Sequence, residues 1–160
     1  MRKTKTKIKG QYTIMFLALA VPLFILMMMV TYDFGNFLLM RTTTRAIADS
    51  AALAAAGAVD MGGIDGTTGG TNKGYDYTLN ETWAASRVWD IIEANNKGIP
   101  PHLRRRMSFE VSGYQAKGKE AVVAITGSYI PLWSSYSDPS VIQTTVVQRA
   151  EAATGTNEPK

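Results

Sequence analysis

Residues 14–32 read IMFLALAVPLFILMMMVTY, an unbroken run without a charged side chain. In a helix, at about 1.5 Å per residue, a run of this length spans roughly 28 Å, close to the hydrocarbon core of a bilayer. Only a helix satisfies every backbone group of a single segment in that medium. Arg2, Lys3, Lys5, Lys7 and Lys9 stand in front of the run and Asp33 follows it directly. This asymmetry predicts a single-pass span in the cell (inner) membrane, N-terminus in the cytoplasm and the remainder extracytoplasmic. A cleaved secretory signal has a shorter apolar core and a small-residue cleavage site. Here the run is longer and ends in Asp33-Phe34-Gly35-Asn36-Phe37. The chain therefore divides first into a basic tail, 1–9, and a transmembrane helix, 10–33, in which Pro22 removes one backbone donor and is expected to bend the helix slightly.

The helical pattern does not stop at the membrane. No proline occurs in 34–59, and from Arg45 the text is RAIADSAALAAAGAV, built on the strongest helix former. One helix of about 70 Å is expected over residues 11–58, the second half projecting into water. Leu38, Arg41 and Arg45 share one face of this extension, while Leu39, Ile47 and Leu53 can lie on another. Small side chains let a second backbone approach closely. One face of the extension is expected to cover the chain's own head and another to meet a partner helix. Ala48, Ala52 and Ala55 are the candidate partner contacts. Asp33, expected at the outer headgroup level because a carboxylate is costly deeper, and Arg41, two turns on, join them. Oligomerisation through the N-terminal helix follows from this reading, with membrane lipids as the other partner.

The charge balance excludes a different class. Five of the 17 basic residues lie in the first nine positions, and the other 12 fall one short of the 13 acidic residues. The excess is a tail and not a basic folded face, so no nucleic-acid partner is expected. With no cysteine and one histidine, His102, disulfides, thiolate sites and multi-histidine metal sites are excluded, and no cofactor is expected. His102 sits in a proline- and arginine-rich loop without a nucleophile elbow. Glu110 and Glu120 could face each other across a hairpin, but surface pairs of that kind are common. No catalytic and no metal-binding residue is assigned, and the chain is expected not to be an enzyme.

Residues 60–77, with six glycines, form a connection or surface loop that lacks both the P-loop and the dinucleotide-binding glycine spacing. Thr78-Leu79-Asn80-Glu81 has the form of a capping box opening a helix that stops near Gly98 in a left-handed cap. Ala84, Val88, Ile91 and Ile92 fall at helical spacing, with Trp83 and Trp89 widening the apolar face that packs on a sheet. Arg104, Arg105 and Arg106 form a basic cluster that reads first as a solvated loop, with contact to anionic headgroups or an acidic partner as the alternative. From Met107 the period becomes two: Phe109, Val111 and Gly113 alternate with Glu110, Ser112 and Tyr114. Lys117-Gly118-Lys119 is a turn. Residues 121–129 and 141–152 supply two more strands, and 154–160 is a fraying tail. The expected fold is α+β: a long N-terminal helix, half membrane-spanning and half exposed, then a second helix and a three-stranded antiparallel sheet forming a small head over 78–153.

The N-terminal residues resemble a known family. A basic tail, Gly10, an apolar run with Phe16 and Pro22, then Asp33-Phe34-Gly35, Arg41 and the alanine-rich stretch from Ala48 to Ala55 are similar to the start of TadE/TadG-like proteins. These are membrane-anchored components of the tight-adherence (Flp) pilus-assembly system. The resemblance covers about the first 58 residues and implies a pilin-like protein whose partners are other pilus-assembly or pilin-like subunits. Gly10 and Gln11 fit the processing site of type IV prepilins, whereas Met15 stands where those carry a glutamate. The resemblance implies an accessory or structural subunit of a Tad/Flp-type pilus or secretion machine. The alternative is a membrane-anchored extracytoplasmic binding or scaffold protein unrelated to pili.

Overall fold

The computed structural model describes residues 5–60, 78–134 and 140–152. The glycine-rich connection, apart from Asp60, and the C-terminal tail lie outside the described residues. The architecture is α+β. Helix α1 (Lys5–Ala56) is continuous over 52 residues, with Pro22 inside it and not ending it. Its two halves have opposite surroundings. From Tyr12 to Tyr32 nearly every side chain is exposed, on a stretch long and apolar enough to cross a membrane. From Asp33 onward a buried stripe appears: Asp33, Met40, Thr44, Ile47, Ala48, Ala51, Ala52 and Ala55. Their steps of three, four and seven residues are those of one helix face.

Past the helix, β1 (Val59–Asp60) pairs antiparallel with β2 (Thr78–Leu79), Val59 opposite Leu79. This ribbon displaces the expected capping box. Thr78 is paired in β2 and the helix begins only at Glu81, so Thr78 does not cap it. Asn80 does so instead, its side chain accepting from Trp83 N at 3.0 Å. Helix α2 (Glu81–Gly98) buries Ala84, Val88 and Ile92, with Ile91 partly buried against the core. Trp83 and Trp89 lie instead on its exposed side, and the Arg87 guanidinium stacks over the Trp83 ring, 5.1 Å from its centroid. The exit of α2 also differs from the expected left-handed glycine cap. Gly98 remains helical and Ile99 turns extended, with φ −60° and ψ 129°, because the following Pro100 disfavours the helical conformation at Ile99.

Strands β3 (Met107–Lys117), β4 (Glu120–Tyr129) and β5 (Ile142–Glu151) form an antiparallel meander in that order. A bulge between Val111 and Gly113 changes the phase of β3. Before it Phe109 and Val111 point toward the core; after it Tyr114 and Ala116 do. Tyr114, which simple alternation puts on the solvent face, is therefore packed against the core, and its hydroxyl donates to Glu81 O at 3.3 Å. Glu110 and Glu120 do not meet: Glu110 lies opposite Thr126, and Glu120 lies opposite Lys117 and is bound by Arg149. The outer half of α1 covers β4 and β5, and α2 packs on β3 and α1. The heights match. Asp33 to Ala55 rises about 33 Å along the helix, as does a ten-residue strand.

Candidate functional site: the junction of helix and head

Asp33 stands where α1 passes from its exposed apolar half to its packed half, and it is buried, at 6% relative exposure. Its Oδ1 accepts from the Tyr129 hydroxyl at 2.7 Å. The Leu132 N–H lies 3.0 Å from Oδ1 and 2.9 Å from Oδ2. Tyr129 ends β4 and Leu132 belongs to the turn that leaves it, so one carboxylate ties the foot of the sheet to the helix. Hydrogen bonds to a charged group contribute about 1.5–3 kcal/mol each. Tyr129 is fully buried, and that burial, reinforced by the Asp33 carboxylate, pushes its phenol up to about 12. It stays a donor throughout the neutral range.

About three turns higher, helix and sheet approach closely. Thr44 is fully buried, its hydroxyl donating to Met40 O at 2.7 Å. It faces Gly127, two residues before the end of β4. A Cβ on Gly127 would lie 2.1 Å from Thr44 Oγ1 and 3.3 Å from Met40 Cγ and Sδ. Only a residue without a side chain lets α1 seat here. Above this contact Ala48, Ala51, Ala52 and Ala55 are buried in the same core.

The residues singled out from sequence therefore separate. Asp33 is bonded within its own head, at the residue where the exposed apolar half of α1 ends. Ala48, Ala52 and Ala55 do permit close approach, but the sheet and α2 of their own chain occupy that space, so their face is not open to another helix. The uncovered face is the opposite one, where Leu39 and Leu53 are exposed. Arg41 is exposed, and no bond joins it to Asp33. Gly10 and Gln11 lie on the α1 backbone. Tyr129, Leu132, Thr44 and Gly127 were not anticipated. A glycine inside a strand is the one local signal that could have pointed to a close backbone approach.

An open groove of about 680 Å³ runs between α2 and β3, lined by Trp89, Ile92, Asn96, Arg104, Phe109 and Glu110 among others. Asn96 already bonds the edge of β3 from within it: Nδ2 donates to Phe109 O at 2.8 Å and Oδ1 accepts from Phe109 N at 3.0 Å. The amide stands in for a neighbouring strand and blunts that edge.

Helix α1 is apolar below Asp33 and closed onto its own head above it. Residues 10–62 match the family model Tad, described as "Putative Flp pilus-assembly TadE/G-like". The TadE/G-like stretch comprises α1 from Gly10 onward and β1, and so includes Asp33, Thr44 and the buried alanines. Tyr129, Leu132 and Gly127, their partners, lie beyond it. No curated protein and no solved structure gives a significant match.

Proposed function

We propose that the protein is a single-pass, pilin-like accessory subunit of a Tad/Flp-type pilus-assembly or secretion machine, its role structural and not catalytic. The observation that carries this reading is the TadE/G-like match over 10–62, which falls on the helix that joins an exposed apolar half to a packed head. The basic residues before the apolar run support a cytoplasmic N-terminus and an extracytoplasmic head. Contact with a neighbouring subunit then falls on the side of α1 that the head leaves uncovered. Leu39 and Leu53, both exposed, are close to four turns apart and lie on one line.

Reporter fusions at Gly57 and Lys160 are expected to be active only as extracytoplasmic reporters; cytoplasmic activity at Lys160 overturns the topology. Deleting the gene is expected to abolish pilus display and surface adhesion, with restoration by the wild-type chain. Unchanged pilus display in the deletion strain would refute the assembly role and leave the unrelated scaffold reading in its place.

A further inference from the structure

The underside of the head carries features that the pilus reading does not use. The turn after β4 is held against α1 by the Leu132 N–H bonds to Asp33, at the residue where the apolar run of the helix ends. Leu132 and Trp133 are nonetheless exposed, Trp133 at 59%. Tyr32 and Phe34, flanking Asp33 on the helix, are exposed as well. Consecutive Cα atoms are about 3.8 Å apart, so Trp133 sits within one residue step of the Asp33 clamp. A bilayer's headgroup zone adds roughly 5–7 Å on each side of its hydrocarbon core. With α1 inserted up to Asp33, the backbone at Trp133 is at that depth, where tryptophan is enriched.

The same end of the head carries the basic cluster. Ile130 N donates to Arg106 O at 2.7 Å, bringing the turn that contains Arg104, Arg105 and Arg106 beside the residue that precedes Pro131 and Leu132. Arg104 bonds the end of α2 through Lys97 O and Ile99 O. Arg105 is exposed, and Arg106 Nη1 is buried without a hydrogen-bond partner. Bulky apolar side chains and guanidinium groups thus share the one end of the head from which the apolar half of α1 emerges.

We propose that this underside is a membrane-docking surface. Leu132 and Trp133 enter the interfacial zone of the leaflet beside α1, and the arginine turn binds the phosphates of anionic lipid headgroups. The occupant is the membrane because the apolar half of α1 leaves the head through this same surface. The inference rests on α1 being inserted, as in the function proposed above. The Asp33 clamp then fixes the height of the head above the bilayer.

The test uses the full chain carrying Trp83→Phe and Trp89→Phe, exposed positions whose loss leaves Trp133 as the sole tryptophan. It is reconstituted into phosphatidylcholine vesicles, with and without phosphatidylglycerol, whose acyl chains are brominated near the carbonyl. Blue-shifted Trp133 emission, quenched by the brominated lipid and more strongly with phosphatidylglycerol, is expected. A companion chain keeping only Trp83, about 24 Å up α2 from the arginine turn, should be unquenched. Arg105→Gln is expected to lower the docking equilibrium about fivefold in anionic bilayers and to leave it unchanged in phosphatidylcholine. Water-like, unquenched Trp133 emission in vesicles that retain the chain against carbonate extraction overturns the docking surface alone. Quenching indifferent to both phosphatidylglycerol and Arg105→Gln overturns the headgroup half of it. Release of the chain by carbonate overturns the span as well, so the two failures are told apart.

Discussion

Replacing Gly127 by alanine tests the seat of the helix on the sheet. The added Cβ would stand 2.1 Å from Thr44 Oγ1, a separation no pair of such atoms sustains. Two responses are open. The helix can lift off β4, loosening the contacts of Met40, Thr44 and Ile47, at the roughly 1–3 kcal/mol typical of an overpacked core. Alternatively the Thr44 side chain can rotate away, giving up its bond to Met40 O and with it about 1 kcal/mol. Gly127→Ala is therefore expected to destabilise the head by about 1–3 kcal/mol, and each 1 kcal/mol moves the midpoint of a 60–100-residue domain by roughly 4–8 °C. Denaturation of the detergent-solubilised chain, followed by near-UV circular dichroism, reads it. The diagnostic arm is Thr44→Ala, which removes the atom in the way. In that background Gly127→Ala should cost at least about 1 kcal/mol less, a coupling well above the error of additive sites. A neutral Gly127→Ala, or a cost unchanged by Thr44→Ala, would refute the claim that this contact fixes the helix.

Two further expectations follow from the same region. Burial and the Asp33 carboxylate hold the Tyr129 phenol at about 12, above its ordinary value of 10. Its contribution to stability is full below pH 10 and is lost as pH rises toward about 12, because the unfolded chain gives up the proton first. Tyr129→Phe should remove this part of the alkaline fall in stability, and an unaltered alkaline profile would contradict the assignment. Ala48→Leu, Ala52→Leu and Ala55→Leu should each cost the head about 1–3 kcal/mol, whereas Leu53→Ser on the uncovered face should stay within about 0.5 kcal/mol and weaken assembly instead. Thermal melts run beside a pull-down of assembled complex distinguish these outcomes.

The features legible in the sequence are those encoded by neighbours in the chain. The uncharged run, the alanine stretch, the helical spacing of Ala84, Val88 and Ile92, and the change to a period of two at Met107 each carry their own signal, and all reappear as elements. What was not legible depends on contacts between distant residues. Asp33 and Tyr129 are 96 positions apart, and nothing beside Asp33 in the chain points to the partner its carboxylate finds. Thr78 has the local form of a cap and is taken by a strand partner instead. The bulge in β3 moves Tyr114 to the core side by one extra residue, a change that alternation alone cannot register. The alanines illustrate a subtler limit: small side chains predict close approach, but they do not say to whom.

Because α1 runs without interruption from the apolar half into the packed half, the chain has no swivel between the two. Each residue of an α-helix turns the next by about 100°, so the compass bearing of the head is set by how the apolar half of the helix is turned. Deleting one residue just below Asp33 would leave the head intact and swing it through about that angle relative to the span. A complex that recognises both parts would meet the right surfaces pointing in the wrong direction.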